Sequence, residues 1–510
     1  MKVKILSAKD AVKCIKSGDT IVSDGFGWGL AFPEELAIAV EDRFLAEGEP
    51  RDLTLYFGAG TGDGYKRKKG FSHFGHEGLL KNIIASHFAL VPELQQLIVD
   101  NKAAGYNLPL GVMAQLYRDA AGKKPGTITK VGMDTFIDPR QEGGKLNKLA
   151  DHNVAELMEL NNDEYLFYEA PAIDVALLKG TYADTEGNIT MDKEAVTVSA
   201  LSIAQACKNH NGLVIVQVED IVEPGTLGPK QVVIPGIHVD IIVKAENPKN
   251  HMQNFYVDFE PAFVSHVKST ENKQKAPMST IKSIIVNRAY RELKPGMVIN
   301  LGIGTPGFVA DIAAEKGTID QYKFTVEVGI LGGELQSDTS FGFSKNPDAI
   351  IDMAYMFDFY HGGGLDITFL GFREVDQYGN VNVSRMGSSI PGVGGFIDIS
   401  QNTDIVVFCS AFNAKGLDVE IDNGELNIKN QGSVSKFSEK VEQISFSGSR
   451  ALKEGKTVLY VTERAVFQLT AEGMELIEYA PGVDIDKDII PYMSFKPIVR
   501  NPKLMDLSDC

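Results

Sequence analysis

The side chain best able to do chemistry in this sequence is Glu327, because its carboxylate interrupts an apolar run. The run is F-T-V-E-V-G-I-L-G-G from Phe324 to Gly333, and its first half is typical of a buried strand. The glycines from Gly329 onward predict a sharp turn after that strand. We therefore expect Glu327 near the C-terminal end of a strand, where open α/β sheets bind ligands. The alternative is a Glu on the exposed face of an edge strand, or one paired with Arg.

Closely spaced glycines in the second half of the chain could serve such a carboxylate. Three consecutive glycines, Gly362 to Gly364, precede a predicted hairpin, and I-P-G-V-G-G-F-I-D-I from Ile390 follows it. Such glycines let a backbone approach a ligand and point N–H groups into a cleft. A carboxylate that faces backbone N–H groups would suit covalent acyl transfer, because the carboxylate can act as the nucleophile and the N–H groups can stabilise the oxyanion. Structural turns alone would also use these glycines.

Composition limits the classes of protein to consider. The chain has 510 residues with 44% hydrophobic and 23% charged content, which predicts about two to four globular domains. Its net charge of −18 lacks the electrostatic footprint of a protein that binds nucleic acid or anionic lipid. The four cysteines are widely scattered, and the chain has neither a signal-peptide pattern nor a long apolar run. We predict a cytoplasmic protein without a membrane segment.

The chain contains two copies of one plan. D-V-A-L-L-K-G-T-Y-A-D-T-E-G-N-I-T from Asp174 matches D-I-T-F-L-G-F-R-E-V-D-Q-Y-G-N-V-N from Asp366 at a constant offset of 192 residues. Each copy predicts a strand, a D-x-x-G-N turn and a second strand. A strand and glycine loop beginning at Gly18 recurs from Gly296, and helices are predicted after both loops, from Pro33 and from Phe308.

These repeats predict two homologous α/β domains with open, mostly parallel sheets and flanking helices. We place the N-terminal domain at residues 1–265, a linker at 266–280 and the C-terminal catalytic domain at 281–510, because the stretch from Ser269 is polar and lacks apolar periodicity.

Other candidate motifs are weaker. The glycine loops lack a complete dinucleotide fingerprint, and Arg450 stands where a P-loop before G-K-T would need its first glycine. His73 and His76 have metal-ligand spacing but no clustered partners in sequence, which favours a packing role over a metal site. The basic run Lys66–Lys69 indicates a solvated surface or, alternatively, recognition of a ligand's phosphates.

Taken together, these segments resemble the family I coenzyme A transferases, most closely the single-chain acetate or propionate type in which two halves are fused. V-E-V-G-I-L-G-G, G-V-G-G-F-I-D-I and V-N-V-S-R-M-G carry the resemblance in the second half. Y-N-L-P-L-G-V-M from Tyr106, P-G-T-I-T-K-V-G-M-D-T-F-I-D-P-R from Pro125 and V-V-I-P-G-I-H-V-D from Val232 carry it in the first. The likeness covers nearly the entire chain.

The resemblance implies a NagB/RpiA/CoA-transferase-like fold in each half, with the active site between the halves and Glu327 as the nucleophile. CoA is then a substrate, with no further cofactor and no metal. It also implies oxyanion donors at Gly394 and Gly395. CoA would contact the loop Gly302, Ile303, Gly304, Thr305 and Pro306, and the acid would contact a pocket at Gly27, Asn107 and Leu110.

The expected activity is exchange of CoA between an acyl-CoA and a short-chain carboxylate such as acetate, propionate or butyrate, by a ping-pong scheme through a glutamyl-CoA thioester. A homo-oligomer, either a dimer or a tetramer, is expected by the same resemblance. One position departs from the family: Leu110 stands where relatives often carry Gln, which indicates a more apolar acyl pocket. The alternatives are an acyl-CoA hydrolase and a non-catalytic ligand-sensing module of this fold.

Overall fold

The computed structural model describes residues 3–64, 69–267, 269 and 278–510. They form two compact units that are not continuous in sequence. The first unit comprises Met1–Thr270, Glu327–Asp358 and Gly387–Asp398, and the second comprises Glu271–Val326, Phe359–Met386 and Ile399–Cys510. The predicted boundaries at 1–265 and 281–510 therefore do not delimit the compact units, because two segments of the second half pack with the first. Most of the predicted linker, at 268 and 270–277, lies outside the described residues, as do Lys66 to Lys68.

The helices occur throughout the chain. In chain order they are α1 Ala8–Ala11, α2 Glu34–Glu47, α3 Pro92–Val99, α4 Leu110–Ala121, α5 Ala200–Asn209, α6 Thr280–Tyr290, α7 Val309–Glu315, α8 Met353–His361, α9 Phe396–Asn402 and α10 Gly448–Lys453. Helices α2 and α7 confirm the two predicted after the glycine loops. In the described part of the chain, no helix is long and apolar enough to cross a membrane.

The strands of the first half of the chain are β1 Lys4–Ile5, β2 Thr20–Ser23, β3 Leu53–Phe57, β4 Leu80–Ala85, β5 Ala104–Asn107, β6 Gly126–Thr129, β7 Glu156–Leu160, β8 Asp163–Glu169, β9 Val175–Lys179, β10 Tyr182–Asp184, β11 Ile189–Thr190, β12 Leu213–Val218, β13 Asp220–Val222, β14 Val232–Ile234 and β15 Ile241–Lys244.

The strands of the second half are β16 Val298–Leu301, β17 Lys323–Val326, β18 Ile330–Leu331, β19 Glu334–Leu335, β20 Ser344–Lys345, β21 Ala349–Ile350, β22 Ile367–Leu370, β23 Glu374–Asp376, β24 Val381–Asn382, β25 Ile405–Cys409, β26 Asn413–Ala414, β27 Leu417–Asp422, β28 Glu425–Gln431, β29 Val434–Ser435, β30 Phe437–Ser438, β31 Thr457–Val461, β32 Ala465–Thr470, β33 Gly473–Tyr479 and β34 Ile498–Leu504.

The main sheet of the first unit is parallel throughout. Its strand order is β1-β15-β12-β9-β2-β3-β4-β5. Parallel sheets of this kind are covered on both faces, so their central strands are buried on both sides. Strand β9 fits this pattern, because all five of its residues, V-A-L-L-K, are buried. The chain leaves β2 for β3 on one side and later returns to β9 on the other. The C-terminal end of β2 is therefore a topological switch point, where sheets of this type bind ligands.

The second unit repeats this plan. Its strands run β17-β16-β22-β25-β31 in parallel and continue through the antiparallel pairs β31-β32 and β32-β33 to β34. The order reverses beside β16, as it does beside β2 in the first unit. The predicted fold class, α/β with open and mostly parallel sheets, is confirmed.

The repeated D-x-x-G-N motif forms the same turn in both units. Asp184 Oδ1 accepts the N–H groups of Glu186 and Asn188, at 3.0 and 2.9 Å. Asp376 Oδ1 accepts those of Tyr378 and Asn380, both at 3.0 Å. Because the Asp side chain satisfies the turn's own backbone, each hairpin forms where the sequence predicts it, between β10 and β11 and between β23 and β24.

The core of the second unit encloses an ion pair. Arg464 and Glu463 are both fully buried, and Arg464 Nε donates to Glu463 Oε1 at 2.7 Å. Glu463 Oε2 also accepts the Phe412 N–H at 2.8 Å, and the Arg464 guanidinium lies 4.7 Å from the centroid of the Phe412 ring. A buried carboxylate of this kind depends on its cation, because water cannot replace it.

We predict that Arg464→Met lowers the stability of the second unit by about 3–5 kcal/mol, because Glu463 would be left as an uncompensated buried charge. The matched control is Arg500→Met, which removes an exposed pair with Glu472 and should change stability little. Thermal unfolding followed by circular dichroism measures both. Equal melting temperatures for the two variants would contradict the importance of the buried pair.

Candidate active site

Glu327 is the first residue after strand β17, which ends at Val326. The carboxylate-bearing residue is half-buried, whereas Val326 and Val328 on either side are buried. Its predicted position at the C-terminal end of a strand is therefore confirmed. It also begins the segment Glu327–Asp358 that belongs to the first unit.

The glycines after Glu327 do more than form one turn. A turn that includes Gly329 ends β17, as predicted, but it does not extend to Gly333. The stretch instead continues in a short strand, β18, which pairs with β21 in antiparallel fashion. Gly329 has φ +116°, and a Cβ there would come within 2.0 Å of the Ile351 carbonyl oxygen. No other residue type fits this position, because the returning strand lies against the backbone.

The second glycine motif is held by the first half of the chain. Gly394 N–H donates to the Ser86 carbonyl oxygen at 2.9 Å, and the Gly394 carbonyl oxygen accepts from Leu110 N–H at 3.0 Å and Ser86 Oγ at 2.9 Å. The Gly394 amide is thus committed within the protein and is not free to receive an oxyanion. The sequence prediction that Gly394 is an oxyanion donor is therefore corrected. The same role for Gly395 stays a prediction.

Asn107, predicted in the substrate pocket, has a different role. It is completely buried, and its Nδ2 donates to the carbonyl oxygens of Ala85 and Ser86, both at 2.7 Å. Its Oδ1 accepts the Val393 N–H at 3.1 Å. Because every polar atom of the amide is used, Asn107 has none left for a substrate. It instead ties the glycine motif to the ends of β4 and β5.

Further hydrogen bonds complete this attachment, and sequence reasoning missed the residues that make them. Gly111 N–H, in the first turn of α4, donates to the buried Asp398 Oδ2 at 3.1 Å. Phe88 N–H donates to the Pro391 carbonyl oxygen at 2.7 Å. The position of Ser86, a polar residue directly after an apolar strand, could have marked it as a candidate site residue. Nothing in the sequence indicated that it bonds Gly394, some three hundred positions later.

Leu110 is buried at the start of α4 and lies close to Gly58. A Cβ added to Gly58 would come within 2.9 Å of Leu110 Cδ1, 3.2 Å of Asp24 Oδ1 and 3.9 Å of Met353 Cε. These three side chains therefore converge on one glycine. Gly27, also predicted in the pocket, is half-buried with φ +52° in the loop after β2. Contact of either residue with a substrate stays a prediction.

Asp24 adds an unusual acid to this neighbourhood, and sequence reasoning did not single it out. It follows β2 directly and is buried. Burial raises the pKa of its carboxyl to about 7, although the N–H groups of Gly25 and Ser199 donate to it at 3.1 and 3.2 Å. The charge of Asp352 raises the pKa further.

The loop predicted to bind CoA lies in the second unit, at the switch point after β16. Gly302 N–H donates to the Phe369 carbonyl oxygen at 2.8 Å, Ile303 is 55% exposed and Gly304 has φ +85°. A short 3-10 helix, Thr305–Phe308, then leads into α7. The loop thus presents an exposed apolar side chain and an open glycine backbone, which suits approach of an extended ligand.

The two predicted metal-spaced histidines are bound to carboxylates. His73 Nδ1 lies 2.5 Å from Glu41 Oε2, and His76 Nε2 lies 2.6 Å from Glu41 Oε1. His73 Nε2 also lies 3.1 Å from Glu34 Oε1. Within the described ranges, no cluster of three or more His, Cys, Asp or Glu side chains is arranged to hold a metal ion. Hydrogen bonds to the carboxylates of Glu41 and Glu34 hold both histidines in place.

Comparison with known proteins extends this picture. The Coenzyme A transferase family profile matches residues 5–245. The chain is 43% identical over 501 residues to the caffeate CoA-transferase of Acetobacterium woodii, covering 97% of this chain and 95% of that protein. It is 40% identical over 507 residues to the acetate CoA-transferase YdiF of Escherichia coli K12, covering 99% and 94%.

Solved structures agree with the sequence relatives. The thioester complex with CoA of the acyl-CoA transferase YdiF from Escherichia coli O157:H7 matches with a TM-score of 0.91 and 39% identity, covering 99% of this chain and 95% of that one. The apoenzyme of YdiF matches with a TM-score of 0.92, 40% identity and the same coverage. The chain therefore belongs to the coenzyme A transferase family.

Proposed function

We propose that this enzyme transfers CoA between an acyl-CoA and a short-chain carboxylate, such as acetate, propionate or butyrate, through a glutamyl-CoA thioester on Glu327. The observation that carries the proposal is the place of Glu327, a half-buried carboxylate at the C-terminal end of a parallel strand. The thioester complex with CoA formed by the related YdiF supports it.

The chemistry requires only covalent exchange. A Glu327 carboxylate oxygen bonds to the thioester carbonyl carbon, and the carbon–sulfur bond breaks to release CoA thiolate. The thiolate then attacks the glutamyl carbon of the mixed anhydride, which forms the glutamyl-CoA thioester and releases the first acid. The incoming acid repeats these steps in reverse order. Because each step exchanges one acyl bond for another, the energy of the thioester is retained.

Each transfer passes through a tetrahedral oxyanion that needs hydrogen-bond donors. With the Gly394 N–H committed to Ser86, we assign the donor role to the Gly395 N–H. The bonds of Asn107 and Ser86 to this motif support the assignment, because a donor must be held in place before the charge develops. Asn107 and Ser86 are then positioning residues.

Other features remain predictions. The loop Gly302–Pro306 is proposed to contact CoA, and Gly27 and Leu110 the acid substrate. A homo-oligomer of two or four chains is proposed from the sequence resemblance, and a cytoplasmic location is proposed from the widely scattered cysteines.

We predict that incubation with an acyl-CoA alone places a covalent CoA adduct on Glu327 in the wild-type protein, detectable by mass spectrometry. Glu327→Gln should abolish both the adduct and CoA transfer, because an amide cannot attack the thioester. The matched control is Glu334→Gln, at an exposed acid that follows Gly333. It should retain both. An active Glu327→Gln variant without adduct in the wild type would refute the mechanism.

The same assay separates transfer from hydrolysis. With no acceptor acid present, a transferase holds CoA on the enzyme, whereas a hydrolase releases free CoA continuously. Steady release of CoA at the rate seen with acceptor would favour the hydrolase alternative.

We predict that Asn107→Ala lowers kcat at least tenfold with little change in KM for acyl-CoA, because the Val393 N–H loses its acceptor and the adjacent Gly395 donor shifts. The control is Asn82→Ala, which removes a partly buried side-chain bond to Thr54 in neighbouring strands. It should alter stability more than kcat. Parallel changes of kcat in both variants would show that Asn107 acts through stability alone.

We predict that Leu110→Gln shifts acid preference toward the smallest acids, because a polar amide then replaces an apolar group beside Gly58. Relative kcat/KM values for acetate, propionate and butyrate measure the shift. An unchanged order of preference would remove Leu110 from the acyl pocket.

A further inference from the structure

His73 is a buried histidine that the proposed mechanism does not use. Its side chain is 9% exposed, and both of its ring nitrogens contact carboxylates of α2. Nε2 lies 3.1 Å from Glu34 Oε1, and Nδ1 lies 2.5 Å from Glu41 Oε2. A neutral imidazole has one N–H and one lone pair, so it can donate to only one of the two carboxylates. Both contacts are satisfied when the ring is an imidazolium.

The two carboxylates stabilise this protonated ring. Burial opposes a charge on His73, but the hydrogen bonds and negative charges of Glu34 and Glu41 outweigh that cost, so the pKa of His73 is raised. Glu34 is itself buried, and its carboxylate depends on nearby cations because water cannot replace them. The ring and the buried carboxylate therefore stabilise each other only while the ring keeps both protons.

Three further titratable groups adjoin the pair of carboxylates. Lys69 Nζ lies 3.4 Å from Glu34 Oε1, which gives Glu34 a second, more distant cation. His76 Nε2 lies 2.6 Å from Glu41 Oε1. Glu93 of α3 accepts the hydroxyl of the serine that precedes the buried ring, at 2.8 Å. Protonation of the ring therefore offsets part of the negative charge of these three carboxylates.

Glu34 also holds the backbone just before the histidine. Its Oε2 accepts the Gly70 N–H at 2.8 Å. Gly70 has φ +69°, and a Cβ there would come within 2.0 Å of the Thr61 carbonyl oxygen, so the two backbones lie in direct contact. Phe71 donates its N–H to the same Thr61 oxygen at 2.8 Å. The ion pair of His73 and Glu34 thus holds this segment against Thr61.

The next contact reaches the predicted substrate pocket. Gly62, which follows Thr61, donates its N–H to the Gly27 carbonyl oxygen at 3.2 Å. Gly27 has φ +52° in the loop after β2, and the Phe341 carbonyl oxygen is the one described group within 4 Å of a Cβ built on it. The bond from Gly62 is therefore a principal constraint on Gly27. Hydrogen bonds between adjoining residues connect the His73 ring to this position.

We propose that protonated His73 is a positioning residue that holds Gly27 in place for the acid substrate, acting through Glu34 and the backbone contacts that follow it. This inference rests on the proposed function, in which Gly27 contacts the acid. When the ring loses its proton, buried Glu34 loses a charge-assisted hydrogen bond and holds the Gly70 backbone less firmly, so binding of the acid weakens. The bond-making steps on Glu327 do not involve the ring, so kcat at saturating acid should change little.

The raised pKa of His73 sets the direction of the pH dependence. A histidine whose pKa is raised in the folded protein stabilises it fully below the ordinary value of about 6.5, and that contribution is lost as pH rises through the raised pKa. KM for the acid should therefore be lowest near pH 6 and rise about fivefold or more as His73 loses its proton.

Profiles of KM and kcat between pH 5.5 and 9, with acetate as the acceptor acid, test the proposal. His73→Gln should have a raised KM at pH 6 and lack the rise at higher pH, because glutamine neither titrates nor carries a charge. Glu41→Gln should keep the wild-type KM at pH 5.5 and move the midpoint of the rise to lower pH, since a charge that raises the pKa of His73 is removed. The matched controls, His210→Gln and Glu47→Gln, change an exposed histidine and an exposed acid of α2 and should match the wild type.

A second measurement does not depend on activity. Hydrogen–deuterium exchange at the histidine ring carbon, followed by mass spectrometry, gives the pKa of His73, which should lie above its ordinary value in the wild type and fall in Glu41→Gln. The melting temperature of the wild type should exceed that of His73→Gln most at pH 6, and the difference should shrink as pH rises.

The outcomes separate this inference from the proposed function. An unshifted pKa of His73, or a folded His73→Gln variant that retains the wild-type KM profile, would overturn the inference. If His73→Gln does not fold, the midpoint in Glu41→Gln decides, and an unchanged midpoint would overturn it equally. Absence of any CoA transfer in the wild type, with the pKa of His73 still raised, would instead refute the proposed function.

Discussion

The hydrogen bonds that join the segment Gly387–Asp398 to the ends of β4 and β5 support the rest of the candidate site. Ser86 and Asn107 bond the backbone of Val393 and Gly394, and the Asp398 carboxylate accepts from the first turn of α4. These groups are buried, so each lost bond would leave a polar atom without water or protein to satisfy it. That cost fixes a glycine motif against strands that are nearly three hundred residues away in sequence.

The same principle distinguishes buried polar groups that stabilise the fold from those that do not. The amide of Asn107 and the buried ion pair of Arg464 and Glu463 are satisfied within the protein, and so they stabilise one arrangement. The hydroxyl of Tyr117 is also buried, but it has no hydrogen-bond partner among the described residues. A buried hydroxyl of this kind adds no such stabilisation.

The duplicated halves share an architecture but place different residues at their switch points. Both contain a parallel sheet with a switch point, and both contain the D-x-x-G-N hairpin. At the first switch point the chain places the acid Asp24, whereas at the second it places the exposed loop beginning at Gly302. One plan therefore places chemically different residues at its two switch points, and Glu327 from the second half belongs to the compact unit of the first.

The sequence by itself determined most of the helices and strands and singled out Glu327 as the candidate nucleophile. Apolar runs, glycine loops and the repeated Asp turn act locally, so they predicted the strands, both hairpins and the position of Glu327 after β17. Tertiary structure alone decided the partners: that Gly394 donates to Ser86, that Asn107 serves the backbone, and that Asp24 is buried beside Leu110. These pairings join residues far apart in the chain, and their hydrogen bonds and pKa shifts come from burial, which no local pattern records.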